Sequence, residues 1–528
     1  MQDKQTVQAM LAQIGDFKNE PLTDFSQPDN AAAFEAALAK VRKQFGKKHP
    51  LVIGGKEIWP EATFDSINPA HPDQVVGVFS KAGKELAEQA IEAAAVAFET
   101  WSRTPTIERV AIILKTAALM RAHKHELSAW MVYEEGKNWV EADADTAEAI
   151  DFLEYYSRQM LKLELVEVYQ APGERDTLHY IPLGVGAVIP PWNFPAAIAV
   201  GISSSAIVAG NTIVFKPASD APKIAWEYFQ LLREAGLPDG VCNFLTGPGA
   251  LAGETLVDHP KTRFISFTGS KEVGLRIHER AAKPQPGQIW IKRTILEMGG
   301  KDAVVVDETA DLDAAANGII VSAFGFQGQK CSAGSRAIIV ADVYDALIEK
   351  ILAQARQMLI IGDPDKRENY TGPVVSKNQY RTVLNYIEIG KGEGRLIYGG
   401  RALERDGYFI EPTIFADVAP DARIAQEEIF GPVLAIIKAD DWKHAIAIAN
   451  GTEFGLTGAY YSTDAERIAF ARREFHVGNL YINRKCTAAL VGIHPFGGFN
   501  MSGTDSKTGG PDYMLLFTQA KSIGEKLG

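Results

Sequence analysis

Short, almost wholly apolar runs alternate with segments of helical period over much of this chain, and few folds can use such an alternation. "VGAVIP", "TIVFKP", "CNFLTG", "RFISFTG" and "DAVVVD" follow one another between residues 185 and 307. They lack the polar alternate of a half-exposed strand and predict strands buried on both faces. Between them lie helical stretches, of which Pro222–Ala235, stopped by Gly236 and Pro238, is the clearest. Strands alternating with helices predict a mainly parallel sheet covered on both sides. A second alternating block runs from Ala303 to about Asn483, with strands "SRAIIV" and "PVLAIIK" and a helix over Tyr344–Met358. Two such blocks predict two α/β domains with a ligand cleft between them, and 528 residues are too many for one core.

The flanks read differently. About the first 45 residues form a polar helical arm, and "LVIGGKEI" signals a hairpin at Gly54-Gly55. Leu86, Ala90, Ala94, Ala97 and Trp101 keep one apolar stripe, and the helical pattern continues over 107–135 and 138–163. The glycine-rich tail from Pro495 ends in an apolar strand, "YMLLFTQAK". With 54 basic against 66 acidic residues (net −12) and no basic cluster among aromatics, nucleic acid is not an expected partner. Three cysteines build no disulfide framework, which fits a reducing, cytoplasmic setting. The N-terminus is too polar for a secretory signal and carries acids that transit peptides avoid. Residues 177–215 hold no formal charge beyond His179, yet Pro190, Pro191, Asn193 and Pro195 interrupt them, so a strand, an irregular turn and a buried helix are expected rather than a membrane span.

Several side chains stand where chemistry is possible. Cys331, in "FGFQGQKCSA", sits beside Lys330, whose charge would favour thiolate, with Gly325 and Gly328 allowing close backbone approach. A small buried hydrophobe is the plainer account of such a thiol. Glu297, in "TILEMGGKDA", is an isolated acid among apolar residues and glycines: a desolvated general base, or a paired structural carboxylate. Asn193, in "PPWNFP", could donate to an oxyanion or brace its turn. Lys216 ends a strand at the edge where parallel sheets bind ligands, suited to ribose or phosphate, or is a solvated lysine. No G-x-G-x-x-G follows a strand. "GPGALAG" and "FTGSKEVG" could offer N–H groups to a pyrophosphate, or be tight turns into helices. No metal site is expected, because no C-x-x-C or H-E-x-x-H occurs and the ten histidines are scattered; G-x-S-x-G is also absent.

Taken in order, "PWNFP", "FKPA", "FTGS", "LEMGGKDA", "GQKCSA", "EEIFGPV" and "PFGGFNMSG" resemble the motifs of the aldehyde dehydrogenase superfamily over roughly residues 50 to 520. The resemblance implies Cys331 as nucleophile, Glu297 as general base, and Asn193 with the Cys331 N–H as the oxyanion site. It implies a dinucleotide against Ile189, Pro190, Trp192, Lys216, Ser219, Gly249, Phe267, Gly269, Ser270, Glu428 and Phe430, with Glu428 at the nicotinamide ribose. The implied fold is an α/β assembly: 1–164 an N-terminal arm and helical part of the cofactor domain, 165–182 an oligomerisation hairpin, 183–296 a Rossmann-like part, 297–494 the catalytic domain, and 495–528 a C-terminal oligomerisation segment whose strand combines with that hairpin. Where NAD-strict members often carry glutamate three residues after the lysine, this chain has Ser219. NAD is therefore the expected main cofactor, with NADP accepted as well.

"EEGKNWVEADADTAEAIDF", Ser332 directly after the cysteine, and "KCTAALVGIHPFGG" running on into "SGTDSKTGGPDY" are similar to the branch acting on L-glutamate γ-semialdehyde. That likeness implies a substrate carboxylate held by Ser332 and backbone N–H groups around Ala488 and Ala489. It also implies an aliphatic chain between Phe194 and Phe496 and an amino group near Glu148. The loop reads T-A-A where a glycine is often found in the middle, which leaves its shape open. The implied reaction is the second step of proline catabolism, in a homo-oligomer, with proline dehydrogenase as a possible partner. Another semialdehyde, such as succinic semialdehyde, is the alternative substrate. A catalytically silent scaffold of the same fold is the non-enzyme alternative.

Overall fold

The computed structural model describes residues 4–528. Its centre is a pair of seven-stranded sheets. In the first, the strands run in space as Arg293–Glu297, Thr262–Thr268, Val185–Ile189, Thr212–Phe215 and Cys242–Phe244, all parallel, then Leu51–Ile53 and Lys56–Ile58, both antiparallel additions. The parallel strands are apolar on both faces because helices cover both: Ala197–Val208 and Pro222–Ala235 pack on one side, Lys84–Trp101 on the other. Between the two antiparallel additions, Gly54 and Gly55 turn at φ 57° and 78°, a bend that needs glycine. The second sheet runs Arg395–Tyr398, Thr413–Ala416, Val433–Ala439, Arg336–Val340, Ala303–Val306, Thr457–Tyr461, Asn479–Ile482, with only the first strand antiparallel.

The chain passes from one sheet to the other in the five residues between Glu297 and Ala303. Strand Arg293–Glu297 is therefore the last of the first sheet, and its outer edge is covered by the glycine-rich tail: Glu297 bridges Gly503, and Thr504 N–H donates to the Leu296 carbonyl at 3.0 Å. The apolar stretch that imitates a membrane span is a buried strand, an irregular turn and the buried helix Ala197–Val208. Among the described residues no helix is long and apolar enough to cross a membrane.

Three elements differ from the sequence reading. The helical stretch over 107–135 is two helices, Thr106–Ala122 and Lys124–Glu135, broken at His123 (φ −104°, ψ 15°); beyond the break Lys124 reaches Asp143 at 3.1 Å and the Pro21 carbonyl at 2.8 Å. No hairpin closes within 165–182. A single strand, Glu174–Pro182, stands there instead, and the C-terminal strand Thr518–Lys526 joins it antiparallel over nine residues, as the sequence implied. Within "YMLLFTQAK" only the part from Thr518 is strand. Tyr513–Phe517 is a tight helical turn, because its apolar side chains dock on the core beneath it.

The N-terminal arm is more than a tail. Between helices Lys4–Ile14 and Pro28–Arg42 it lies along helix Trp139–Leu163, where the Glu20 N–H and the Asn19 amide donate to Asp151 at 2.6 and 2.8 Å.

Candidate functional site

The carboxyl ends of the first sheet's strands converge on one cleft, as expected for parallel sheets. Asn193 follows Val185–Ile189, Lys216 follows Thr212–Phe215, Gly269 and Ser270 follow Thr262–Thr268, and Glu297 ends the edge strand. The second sheet faces them with the segments entering its strands: Cys331 lies five residues before Arg336, and Glu428 five before Val433. Two glycines at the crossing permit this closeness. A Cβ on Gly299 would fall 2.0 Å from Glu428 Oε2, and one on Gly300 would fall 2.5 Å from the Cys331 carbonyl. Gly300 N–H donates to Glu428 Oε1 at 3.0 Å.

A cavity of about 230 Å³ opens there, with Cys331, Glu297, Phe194, Phe496, Glu148, Ala488 and Ala489 in its wall. Asn19, Glu20 and Leu22 of the N-terminal arm also line it. Nothing in the arm's polar sequence pointed to that role.

Glu297 is buried. Its Oε1 accepts the Ser506 hydroxyl at 2.8 Å, while Oε2 has no partner among the described residues. Burial pushes its carboxyl up to about 8, against the pull of Ser506 and Lys507. A carboxyl poised near neutral pH with one free oxygen suits a general base for water. Burial, and then the negative fields of Asp302, Glu428 and Glu297, hold the Cys331 thiol well above its ordinary range. Lys330 does not relieve this, contrary to the sequence reading. Its ammonium is held by both oxygens of Glu141, each at 2.7 Å, and that pairing neutralises the charge the thiol would need. The turn before the cysteine is unusual. Phe326 and Gln327 take left-handed backbone (φ 48° and 55°) with no glycine, and the Gln327 amide holds the turn by donating to the Gly136 and Pro373 carbonyls at 3.0 and 2.8 Å. Gly328 passes where a Cβ would lie 2.4 Å from the Gly431 carbonyl.

Asn193 is buried, and its amide donates one hydrogen to the Gln329 carbonyl at 3.1 Å, which leaves a second for another acceptor. Ser332 is buried directly behind the thiol. Its carbonyl accepts Cys486 Sγ at 3.3 Å, and it does not line the cavity. Glu148, on helix Trp139–Leu163, is raised to about 8 by burial and by the acids Asp145 and Asp151 on the same helix. Near Phe194 the Lys137 ammonium sits 4.6 Å over the ring and pairs with Asp145, whose other oxygen accepts the Ala197 N–H at 2.7 Å.

The residues named for a dinucleotide lie around the first sheet's carboxyl edge. Lys216 is buried, and burial alone pushes its ammonium down to about 8, with no carboxylate restoring it. Gly253, in the helical turn opened by Gly249, lies beside its side chain: a Cβ there would fall 3.8 Å from Lys216 Cε. Ser270 caps helix Lys271–Ala282 by accepting the Val273 N–H, and Gly269 packs on Phe267. Trp192 meets Phe430 edge-on at 5.3 Å, and Phe430 is held left-handed (φ 55°) by the Gln379 amide, which donates to its carbonyl at 2.8 Å. Ile189 ends strand Val185–Ile189 and Pro190 follows it, and Ser219 is exposed in the turn beyond Lys216. A buried cation without a counter-ion, beside a helix N-terminus and a glycine-lined turn, fits the hydroxyls and phosphates of a dinucleotide. Among the described residues no cluster of His, Cys, Asp and Glu could hold a metal.

Sequence inspection missed Ser506, Glu141 and the arm residues. Each acts through a contact more than a hundred residues away, so although Glu141 and Ser506 lie inside quoted motifs, nothing in those motifs singles them out.

Residues 59–523 match the model of the aldehyde dehydrogenase family. A 1-pyrroline-5-carboxylate dehydrogenase of Geobacillus kaustophilus is 58% identical over 510 residues, 96% of this chain and 99% of that one. A Thermus 1-pyrroline-5-carboxylate dehydrogenase solved with bound NAD superposes with a TM-score of 0.95 at 53% identity, covering 97% of this chain and 99% of its own. Proline utilization A from Bdellovibrio bacteriovorus also superposes at 0.95, with 45% identity; the match spans 97% of this chain and 53% of that longer one.

Proposed function

The chain belongs to the aldehyde dehydrogenase family, and from that premise we propose that it oxidises L-glutamate γ-semialdehyde, the open form of 1-pyrroline-5-carboxylate, to L-glutamate, with NAD as acceptor. The observation that carries this reading is one cavity lined both by a thiol with a free-oxygened carboxyl (Cys331, Glu297) and by a second acid with an open backbone loop (Glu148, Ala488, Ala489).

In this reading the Cys331 thiol loses its proton to solvent, and the thiolate sulfur then bonds to the aldehyde carbon as the carbonyl π pair moves onto oxygen. The Cys331 N–H and the spare hydrogen of the Asn193 amide hold the resulting oxyanion. Lys216, Ser270 and Glu428 hold the dinucleotide at the sheet edge, with Ile189, Pro190, Trp192, Gly249, Phe267, Gly269 and Phe430 shaping its bed. When bound, NAD supplies the two-electron acceptor that converts the hemithioacetal on Cys331 to a thioester. Glu297 then takes a proton from water through its free Oε2, and the hydroxide releases the acid from sulfur. Glu148 faces the substrate's ammonium, Phe194 and Phe496 flank its methylenes, and the loop N–H groups of Ala488 and Ala489 meet its carboxylate; Ser332, buried away from the cavity wall, does not reach it directly. Exposed Ser219 carries no charge to repel a 2′-phosphate, so NADP serves as a second cofactor. An NADP kcat/KM more than about a thousandfold below that with NAD would overturn this part.

The reading also places the protein in the cytoplasm as a homo-oligomer joined through the ribbon of Glu174–Pro182 and Thr518–Lys526, whose outer edges are free to pair. Proline dehydrogenase is the enzyme class that would supply its substrate. The deciding experiment is NADH formation from 1-pyrroline-5-carboxylate against succinic semialdehyde. A kcat/KM at least about tenfold higher with the former is expected, since the latter leaves Glu148 without its partner. Equal or reversed values would reassign the substrate.

A further inference from the structure

We propose that Arg484, which lies outside the cavity wall, is the positioning residue that turns the Ala488 and Ala489 N–H groups toward the substrate carboxylate; this rests on the functional reading above. Arg484 Nη2 donates to the Thr487 carbonyl and to the Ala488 carbonyl, both at 2.9 Å. In a planar trans peptide the N–H points opposite to the carbonyl of the same unit. The Thr487 carbonyl shares its peptide with the Ala488 N–H, and the Ala488 carbonyl shares its own with the Ala489 N–H. Drawing both carbonyls to one guanidinium therefore sends both N–H groups to the opposite side, where Ala488 and Ala489 line the cavity. Neither N–H finds an acceptor among the described residues.

Arg484 is itself braced. Its guanidinium stacks 4.4 Å over the Tyr481 ring. On one flank the Asn483 amide exchanges two hydrogen bonds with the Ser462 backbone, both at 2.9 Å. On the other the Cys486 N–H donates to the Ser322 hydroxyl oxygen at 3.1 Å. The clamp has something to oppose, because Ala488 is held left-handed at φ 64°, a conformation that disfavours any residue with a Cβ. Released, the loop relaxes by peptide rotation and presents a carbonyl where an anion must bind. The positive charge also polarises the two peptides, which strengthens their N–H groups as donors.

The test compares steady-state kinetics of the wild-type enzyme and Arg484→Met with 1-pyrroline-5-carboxylate and with propanal, which has no carboxylate, and measures inhibition by glutarate. The ratio of the two kcat/KM values should fall roughly ten- to a hundredfold in Arg484→Met, chiefly through KM, and glutarate inhibition should weaken in proportion. Arg484→Lys, which keeps a cation but not the fixed fork, should recover part of the ratio; it also carries the test if Arg484→Met yields no folded enzyme, with a fall of a few-fold expected. A ratio that stays constant while both activities drop, or glutarate inhibition that does not move, overturns the inference. A wild-type enzyme indifferent to the carboxylate overturns the functional reading and this one with it. A wild-type preference that survives in Arg484→Met overturns this one alone.

Discussion

Two carboxyls share one cavity and the same raised value of about 8, yet they reach it by different routes. Glu297 ends a β-strand and is buried against a hydroxyl and near the Lys507 ammonium, both of which pull it back down. Glu148 is buried on a helix, where its own neighbours, Asp145 and Asp151, push it further up. The first environment favours a group that loses its proton to solution as pH rises. The second favours one that gives it up when a cation arrives and replaces the missing counter-charge. Reaction and selection are thereby separated on two elements, although both use the same chemical group.

That separation can be broken in order of severity. Cys331→Ala should remove at least about 10⁴-fold of the dehydrogenase rate while dinucleotide binding, read by fluorescence titration, persists; aldehyde oxidation near wild-type level would refute the nucleophile. Glu297→Gln should slow turnover by roughly 10²- to 10⁴-fold and leave an acylated cysteine visible by intact-mass spectrometry. The pH profile sharpens the same point. The base acts only as carboxylate, so hydrolysis should fall by about tenfold per unit as pH drops below about 8 and level off above it; a profile flat from pH 6 to 9 would exclude Glu297 as the titrating group. Glu148→Gln should be mildest, with KM for 1-pyrroline-5-carboxylate raised about tenfold and little change for aldehydes lacking an amino group. Equal losses on both substrate types would return Glu148 to a structural role.

Much of the framework was legible because its cause is local. Strands such as Val185–Ile189 and Ala303–Val306 are covered on both faces, so they had to be written as unbroken apolar runs. Glu297 stood out because an acid among apolar residues is costly without a task. What escaped lies in contacts between distant segments. The pairing of Lys330 with Glu141 reversed the charge argument for the thiol, and only the approach of helix Trp139–Leu163 makes it possible. The left-handed backbone at Phe326 and Gln327 falls on two non-glycine residues, and the flanking Gly325 and Gly328 announced close approach rather than this conformation. Ala488 likewise has left-handed backbone without the residue that usually accompanies it, and the strain becomes readable only once Arg484 is seen holding the carbonyls.

The crossing from Glu297 to Ala303 has a mechanical consequence. Five intervening residues span at most about 20 Å even when stretched, and here they are tied to Glu428 through Gly300 and to Ser502 through Met298. The two halves of the molecule are thus bound like the boards of a book, with the spine beside the reacting atoms. A motion that parted the two sheets about this crossing would swing the far edges most and the spine least. Base and nucleophile would then keep their mutual distance through every cycle.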